Sequence, residues 1–184
     1  MDYQDLLQRA RAGTLPPEAW DEIAAEAQSR RPCLARAQLL HILSESPDKR
    51  FRPLFEKALR SGDPEAAKFA LQTLCVTWGE TRVYSADVLR FLRGVKWDTS
   101  KGGHVLLLAV SVAGEYLRAA PQPAFLAELI DIYEKEESLF KDSAYVALGR
   151  ALGHSWPKVL MKMLKPDKLL DEAKKRLAKE AKRD

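Results

Sequence analysis

The histidines are the first residues of this chain that could do chemistry. The 184 residues include three, His41, His104 and His154, a residue type that binds metals and carries protons near neutral pH. They lie far apart in sequence, and none shares a helical turn with another histidine, a cysteine or a carboxylate pair suited to a metal. His41 and Glu45 stand at positions i and i+4, a spacing that predicts a hydrogen bond on a helix surface.

The cysteines and glycines give no stronger signal of catalysis. Cys33 and Cys75 have apolar neighbours and no second cysteine or histidine at metal-ligand spacing, which predicts two reduced thiols in the core. Lys101-Gly102-Gly103 lacks the spacing of a phosphate loop, and the sequence contains no serine nucleophile elbow. We therefore expect no catalytic residue, no metal and no cofactor, and we predict that the protein is not an enzyme.

An acidic run is the strongest charged feature in the body of the chain. It consists of Glu128, Asp131, Glu134, Glu136, Glu137 and Asp142. One interpretation is a solvated helix face followed by a turn. The other is an acidic patch that meets a basic protein, because complementary charge speeds association and selects partners.

The net charge of +4 comes from the C-terminal end. Residues 158–184 hold ten basic and five acidic side chains, so the chain before them is slightly acidic. A nucleic-acid-binding protein needs a basic track along its binding face. We therefore do not expect nucleic acid as a partner. The basic tail has few large apolar residues and no Trp or Phe, which favours at most weak contact with an anionic surface, so we expect no membrane partner either.

Helix signals recur at short intervals along the chain. Pro16-Pro17-Glu18 opens one helix, and Asp63-Pro64-Glu65 supplies an N-cap, a proline at the first helical position and an acid in the first turn of another. Val105 to Leu117 forms the most apolar helix, which we expect to be central. The N-terminus has no basic region followed by an apolar run, so we expect a cytoplasmic protein.

An apolar signature repeats on alternate predicted helices. Its four copies begin at Leu39, Ala70, Ala109 and Ala147, at separations that each span one helical hairpin. The repeat predicts an all-α fold, a short right-handed α-solenoid of antiparallel helix pairs with about ten helices. We assign residues 1–165 to this domain and 166–184 to a basic, amphipathic C-terminal capping helix.

The chain resembles the HEAT repeats over roughly residues 33–165. The resemblance is carried by Leu59-Arg60-Ser61-Gly62-Asp63-Pro64-Glu65-Ala66-Ala67, which is similar to the Asp-Pro linker of that family, and by Ala144 to Leu152. It is weaker at the third pair, where Asp98-Thr99-Ser100 replaces Asp-Pro. The resemblance implies a scaffold that binds other macromolecules and rarely hosts catalysis.

A closer resemblance is to small HEAT-like bacterial proteins that are encoded beside polymorphic or contact-delivered toxins and act as their immunity proteins. It is carried by residues 70–79, by Gly94-Val95-Lys96-Trp97-Asp98 and by Ala113-Gly114-Glu115-Tyr116-Leu117. It implies tight binding of a cognate protein toxin, for example a nuclease with a basic cleft. The residues that we expect to contact the partner are Tyr84, Arg90, Asp98, Lys101, Glu128, Asp131 and Glu134.

Two alternatives remain open at the level of sequence. Trp78, Tyr84, Trp97 and Asp98 invite comparison with HEAT-like DNA-repair glycosylases, which use aromatic side chains and a carboxylate at a basic face. The competing interpretation is that Trp78 and Trp97 close the hairpin ends and that Asp98 caps the following helix. The second alternative is a general protein-interaction scaffold with no toxin partner.

Overall fold

The structure is a computed structural model that describes residues 2–29, 33–46, 48–98, 104–136 and 139–182, with backbone only at 33, 34 and 104. These residues form eleven α-helices and no β-strand, so the predicted all-α class is confirmed for the described chain. The chain divides into two compact units, Met1–Glu80 and Thr81–Asp184.

The first unit contains five α-helices. They are α1 (Tyr3–Arg11), α2 (Pro17–Gln28), α3 (Cys33–Ser44), α4 (Arg52–Leu59) and α5 (Pro64–Leu71). A 3₁₀ turn, Lys49–Phe51, precedes α4, and a π-helical segment, Gln72–Thr77, continues α5. Helix α3 packs against α1, α2 and α5, and α5 also packs against α4. The core of this unit therefore lies around α3 and α5, with Leu40, Leu43, Phe55 and Leu71 fully buried.

The second unit contains six α-helices. They are α6 (Ser85–Leu92), α7 (His104–Ala119), α8 (Pro123–Lys135), α9 (Leu139–Ala151), α10 (Trp156–Leu160) and α11 (Pro166–Glu180). Helix α7 packs against α6, α8 and α9, which confirms its predicted central position in this part of the chain. Helix α9 packs against α10 and α11 as well, so α7 and α9 together form the centre of the unit.

The helix ends follow the local sequence signals. Pro17 begins α2 as predicted, and the Asp63 carboxylate accepts hydrogen bonds from the amides of Glu65 and Ala66 at the start of α5. Gly153 ends α9 with φ of 84°, a conformation that glycine adopts without the steric penalty of a side chain. Two helices, α1 and α10, had no predicted counterpart.

A glycine allows α7 and α9 to approach closely. A Cβ atom added at Gly114 would lie 2.7 Å from Cα and 2.9 Å from the carbonyl oxygen of Ala147. Because these are backbone atoms, no rotamer change could relieve the contact. Gly114, together with Ala147 of the repeat signature, thus permits the close packing at this point.

The C-terminal segment folds onto the second unit. Helix α11 packs against α8 and α9, with Leu169 and Ala173 buried. The Arg176 guanidinium donates hydrogen bonds to the carbonyl oxygens of Leu117 and Ala151, in the last turns of α7 and α9. A cation at these positions satisfies carbonyls that have no partner within their helices and complements the negative ends of both helix dipoles. The predicted boundary at residue 165 therefore lies inside one compact unit.

Candidate protein-binding surface

The predicted acidic patch lies on α8. The buried side of this helix carries Phe125, Leu126, Leu129, Ile130 and Ile132. Glu128, Asp131 and Glu134 follow one another at intervals of three residues, which aligns them along the helix beside that apolar stripe. Their side chains are 20%, 48% and 43% exposed, respectively. We call these three residues the α8 carboxylate row.

Each member of the α8 carboxylate row already has a cationic partner. Arg93, which follows α6, lies 2.7 Å from Glu128, and Lys135 lies 2.6 Å from Asp131 one turn along α8. Lys174 of α11 lies 2.6 Å from Glu134. The row is thus a set of paired charges, whose cations come from the residue after α6, from α8 itself and from α11.

The pKa of Lys135 shows that the three carboxylates act together. Its hydrogen bond to Asp131 is the largest cause of a raised pKa, followed by the negative charge of Asp131. The charges of Glu128 and Glu134 raise the pKa further. The row therefore stabilises positive charge at Lys135 beyond what its direct partner supplies.

The remainder of the acidic run is divided. Asp142 lies in α9 and forms an ion pair with Lys162 at 2.8 Å. Glu136 is exposed just after α8, and Glu137 is outside the described residues. The run predicted as one patch therefore includes two paired segments, the α8 row and Asp142.

Tyr84 is buried, with 2% of its surface exposed, and it immediately precedes α6. Its side chain offers no surface to a partner, so we leave it out of the proposed contact set.

Arg90 is partly exposed in α6, where it pairs with Asp87 at 3.2 Å. Its guanidinium also lies over the Phe91 ring, 4.6 Å from the centroid. Neither Tyr84 nor Arg90 belongs to the α8 carboxylate row.

Asp98 caps a helix. One oxygen of its carboxylate accepts hydrogen bonds from the amides of Val105 and Leu106, at 3.1 and 3.2 Å, in the first turn of α7. This confirms the predicted capping role. Lys101 lies outside the described residues.

The aromatic residues of the glycosylase alternative belong to different units. Trp78 lies in the first unit, edge-on to Phe55 with 5.5 Å between ring centroids. Trp97 lies in the second, edge-on to Phe91 at 6.0 Å. With Tyr84 buried and Asp98 bonded to two amides, these residues do not assemble an aromatic and carboxylate site within either unit.

The predicted hydrogen bond between His41 and Glu45 does not form, and each residue has another partner. His41 Nε2 lies 4.0 Å from Glu45 Oε1, too long for a hydrogen bond, and its Nδ1 instead pairs with the Tyr3 hydroxyl at 2.6 Å. Arg11 is the closer partner of Glu45, at 2.9 Å. Burial, and next the charge of Arg11, lower the pKa of His41, although Glu45 opposes them. No group of three or more potential ligands that could hold a metal occurs within the described ranges.

Three partner residues of the row were not singled out in the sequence. Lys135 stands four residues after Asp131, so helical spacing could have revealed it. Arg93 and Lys174 come from other helices, and only the packing of α6 and α11 against α8 identifies them. A cluster of exposed apolar side chains at Trp156–Met163 was also missed.

Comparisons with models of protein families, with curated proteins and with solved structures find no match to the chain. The resemblances to HEAT repeats and to immunity proteins therefore rest on the residues that carry them. Over the described part of the chain, no helix combines the length and the apolar composition needed to cross a bilayer.

Proposed function

We propose that this chain is a non-enzymatic protein-binding module that binds and neutralises a cognate bacterial toxin in the cytoplasm. Its framework is a short right-handed α-solenoid of HEAT-like antiparallel helix pairs. Support for the framework comes from the packing order within each unit, where most contacts join helices one or two positions apart along the chain. This order is typical of stacked helical hairpins.

The observation that carries the proposal is the α8 carboxylate row with its exposed cationic partners. Lys135, Lys174 and Arg93 are 71%, 49% and 60% exposed, so water reaches each ion pair. Exposed pairs of this kind contribute about 0–1 kcal/mol each. A partner's basic side chains could therefore replace the present cations at little energetic cost.

The row is suited to a basic protein surface, such as the substrate cleft of a nuclease. Three carboxylates spaced along one helix match cations arranged along a cleft, and this complementarity accelerates encounter. Binding over the cleft would exclude its substrate. Arg90 and Lys101 remain predicted contacts with the partner.

The first test is co-purification of the tagged protein from its native host, followed by mass spectrometry. The proposal expects a stable complex with a small toxic domain, encoded by the adjacent gene, whose activity falls on binding. Recovery without such a partner, or with a partner whose activity is unaffected, would contradict the immunity function.

The second test reverses charge in the row. Asp131→Lys combined with Glu134→Lys should weaken binding of that toxin by at least about tenfold, measured by titration calorimetry. The matched control is Asp21→Lys, which removes another exposed carboxylate from an ion pair, with Arg50 at 2.9 Å in the first unit. Equal toxin affinities for the double variant and the wild type would show that the row does not contact the toxin. They would not contradict a toxin complex found by co-purification.

A further inference from the structure

The exposed apolar side chains of the described chain are concentrated in one short segment. Trp156, Leu160, Met161 and Met163 are 44%, 61%, 73% and 65% exposed, and they fall within eight residues. Only three other large apolar side chains in the described ranges are similarly exposed, Val76, Val83 and Leu139. Clustered exposure of this kind marks interaction surfaces, and methionine adapts readily to different partners. We call Trp156–Met163 the α10 surface.

The α10 surface is held in place by its backbone. Lys162 has φ of 50°, and no other described residue except glycine has a positive φ. The turn is closed by hydrogen bonds from the amides of Lys162 and Met163 to the carbonyls of Val159 and Lys158, at 3.0 and 2.9 Å. Left-handed residues other than glycine persist where the surroundings enforce them, often at functional sites. The two methionines are thus presented on a defined turn.

Val159 anchors this turn to α9. It is fully buried, and a Cβ atom added at Gly149 would lie 2.8 Å from one of its methyl groups. Lys162 adds a second attachment through its ion pair with Asp142 of α9. A surface that is ordered before binding loses less conformational entropy when a partner docks.

A cavity adjoins Trp156. It measures about 200 Å³ and lies between α7, α9 and α10, with Val110, Val146 and Ala147 in its wall. Arg150 forms its charged end, where the guanidinium lies 4.8 Å from the Trp156 ring centroid and pairs with Glu115 at 2.8 Å. Ser111 and Ser143 also line the cavity, and the apolar part of its wall suits a large apolar side chain that inserts from outside.

The chain segment that forms the α10 surface carries only positive charges. Residues 155–166 include Lys158, Lys162 and Lys165 and no carboxylate. Lys162 is paired with Asp142, whereas Lys158 and Lys165 have no ion-pair partner among the described residues. A partner with carboxylates beside its apolar side chains would complement this charge.

We propose that the α10 surface docks an acidic, apolar segment of a protein partner. One large apolar side chain of that segment enters the cavity between α7 and α9, and its carboxylates pair with Lys158 and Lys165. A lipid bilayer suits the site less well, because lipid does not fill a side-chain cavity. The partner segment has the opposite charge to the one proposed for the α8 row, so the proposal does not rest on the toxin-binding function.

The test is a selection of random twelve-residue peptides displayed on phage against the full chain. We expect the enriched peptides to be net acidic and to contain at least two large apolar residues. Their affinities are then measured by fluorescence anisotropy with synthetic peptides. Failure to enrich any acidic, apolar sequence would overturn the proposal, whereas basic sequences that Asp131→Lys/Glu134→Lys no longer binds would be assigned to the α8 row.

Two variants connect the binding to the α10 surface. The triple variant Leu160→Ser/Met161→Ser/Met163→Ser should weaken peptide binding by at least about tenfold, because it removes the exposed apolar contacts. The double variant Lys158→Glu/Lys165→Glu should weaken it similarly, and it leaves the apolar side chains in place. The matched control, Val76→Ser/Val83→Ser, removes exposed apolar side chains elsewhere and should bind like the wild type. Circular dichroism checks that each variant is folded.

Three other outcomes would also overturn the proposal. Equal peptide binding by the wild type and the Lys158→Glu/Lys165→Glu variant would exclude charge recognition at this surface. Sedimentation of the wild type, but not of the triple variant, with phosphatidylcholine and phosphatidylserine vesicles would assign the surface to lipid. A dimer of the wild type that the triple variant abolishes, measured by analytical ultracentrifugation, would assign it to a second copy of the chain.

Discussion

The Arg150 site and the α8 carboxylate row use the same types of charged residue in opposite surroundings. The Arg150 side chain is 7% exposed, and it is held by Glu115, by the carbonyl oxygen of His154 and by the Trp156 ring. The row lies at the surface, and each of its pairs is open to water. Burial of the Arg150 guanidinium makes its ion pair costly to break, although Glu115 itself is 42% exposed, whereas the exposed cations of the row are easy to exchange. Charged residues at the first site therefore serve the fold, and those at the second can serve a partner.

The largest effect should come from Arg150→Ala. The variant leaves Glu115 with only its longer ion pair to Arg118, removes the donor to the His154 carbonyl and opens space below Trp156, so we expect the free energy of unfolding to fall by about 2 kcal/mol. Urea denaturation measures it. Arg118 is a matched control, because it pairs with the same Glu115 at 3.6 Å but is 55% exposed. Arg118→Ala should change stability by less than about 0.5 kcal/mol, and equal losses in the two variants would refute the comparison.

Asp98→Ala should have an intermediate effect. It removes the acceptor for two amides at the start of α7, which typically costs about 1 kcal/mol. Thermal unfolding should show a lower midpoint, with the more conservative Asp98→Asn closer to the wild type. If Asp98→Ala abolished partner binding without loss of stability, Asp98 would be a contact residue and not only a cap.

The pH dependence of stability tests His41, a site of intermediate exposure. Burial and the charge of Arg11 lower its pKa below the ordinary value of 6.5, so the unfolded chain binds the proton more readily than the folded one. The contribution of His41 to stability is therefore complete above pH 6.5 and is lost as the pH falls below it. His41→Gln should lose less stability than the wild type between pH 7.5 and 5.5. The same pH dependence in both proteins would show that His41 does not titrate differently on folding.

The smallest effect is expected for Asp131→Asn in the isolated protein. The substitution removes one exposed ion pair with Lys135, so stability should change by less than about 0.5 kcal/mol. Urea denaturation again provides the measurement. A fall of about 2 kcal/mol in the free energy of unfolding would show that the α8 row stabilises the fold as Arg150 does. The two sites would then not differ in role.

Helix ends were predictable because their signals are local. Asp63 acts as an N-cap through atoms two and three residues away, and Asp98 reaches amides seven and eight residues away. Helix α1 begins with the same kind of local signal, an Asp2 carboxylate that accepts from the Gln4 amide, but the sequence analysis did not use it. Helix α10 is only five residues long, too short for an apolar period to emerge from the sequence.

Surface properties were less predictable, because they depend on which distant segments meet. The acidic run gave no indication that Arg93 and Lys174 would neutralise Glu128 and Glu134 from other helices. Tyr84 precedes a helix and lies near polar residues, but tertiary packing buries it. The local pattern thus identified the acidic helix correctly. It could not show that its carboxylates are paired with cations from other parts of the chain.

The π-helical segment Gln72–Thr77 bears on how related chains would be aligned with this one. The amide of Trp78 donates to the carbonyl oxygen of Thr73, five residues earlier, so the helix accommodates one residue more than regular α-helical bonding allows. Such a bulge has the form of a single inserted amino acid absorbed without breaking the helix. We expect relatives of this chain to be one residue shorter at this segment. The residues before and after it should still occupy equivalent positions in the two structures.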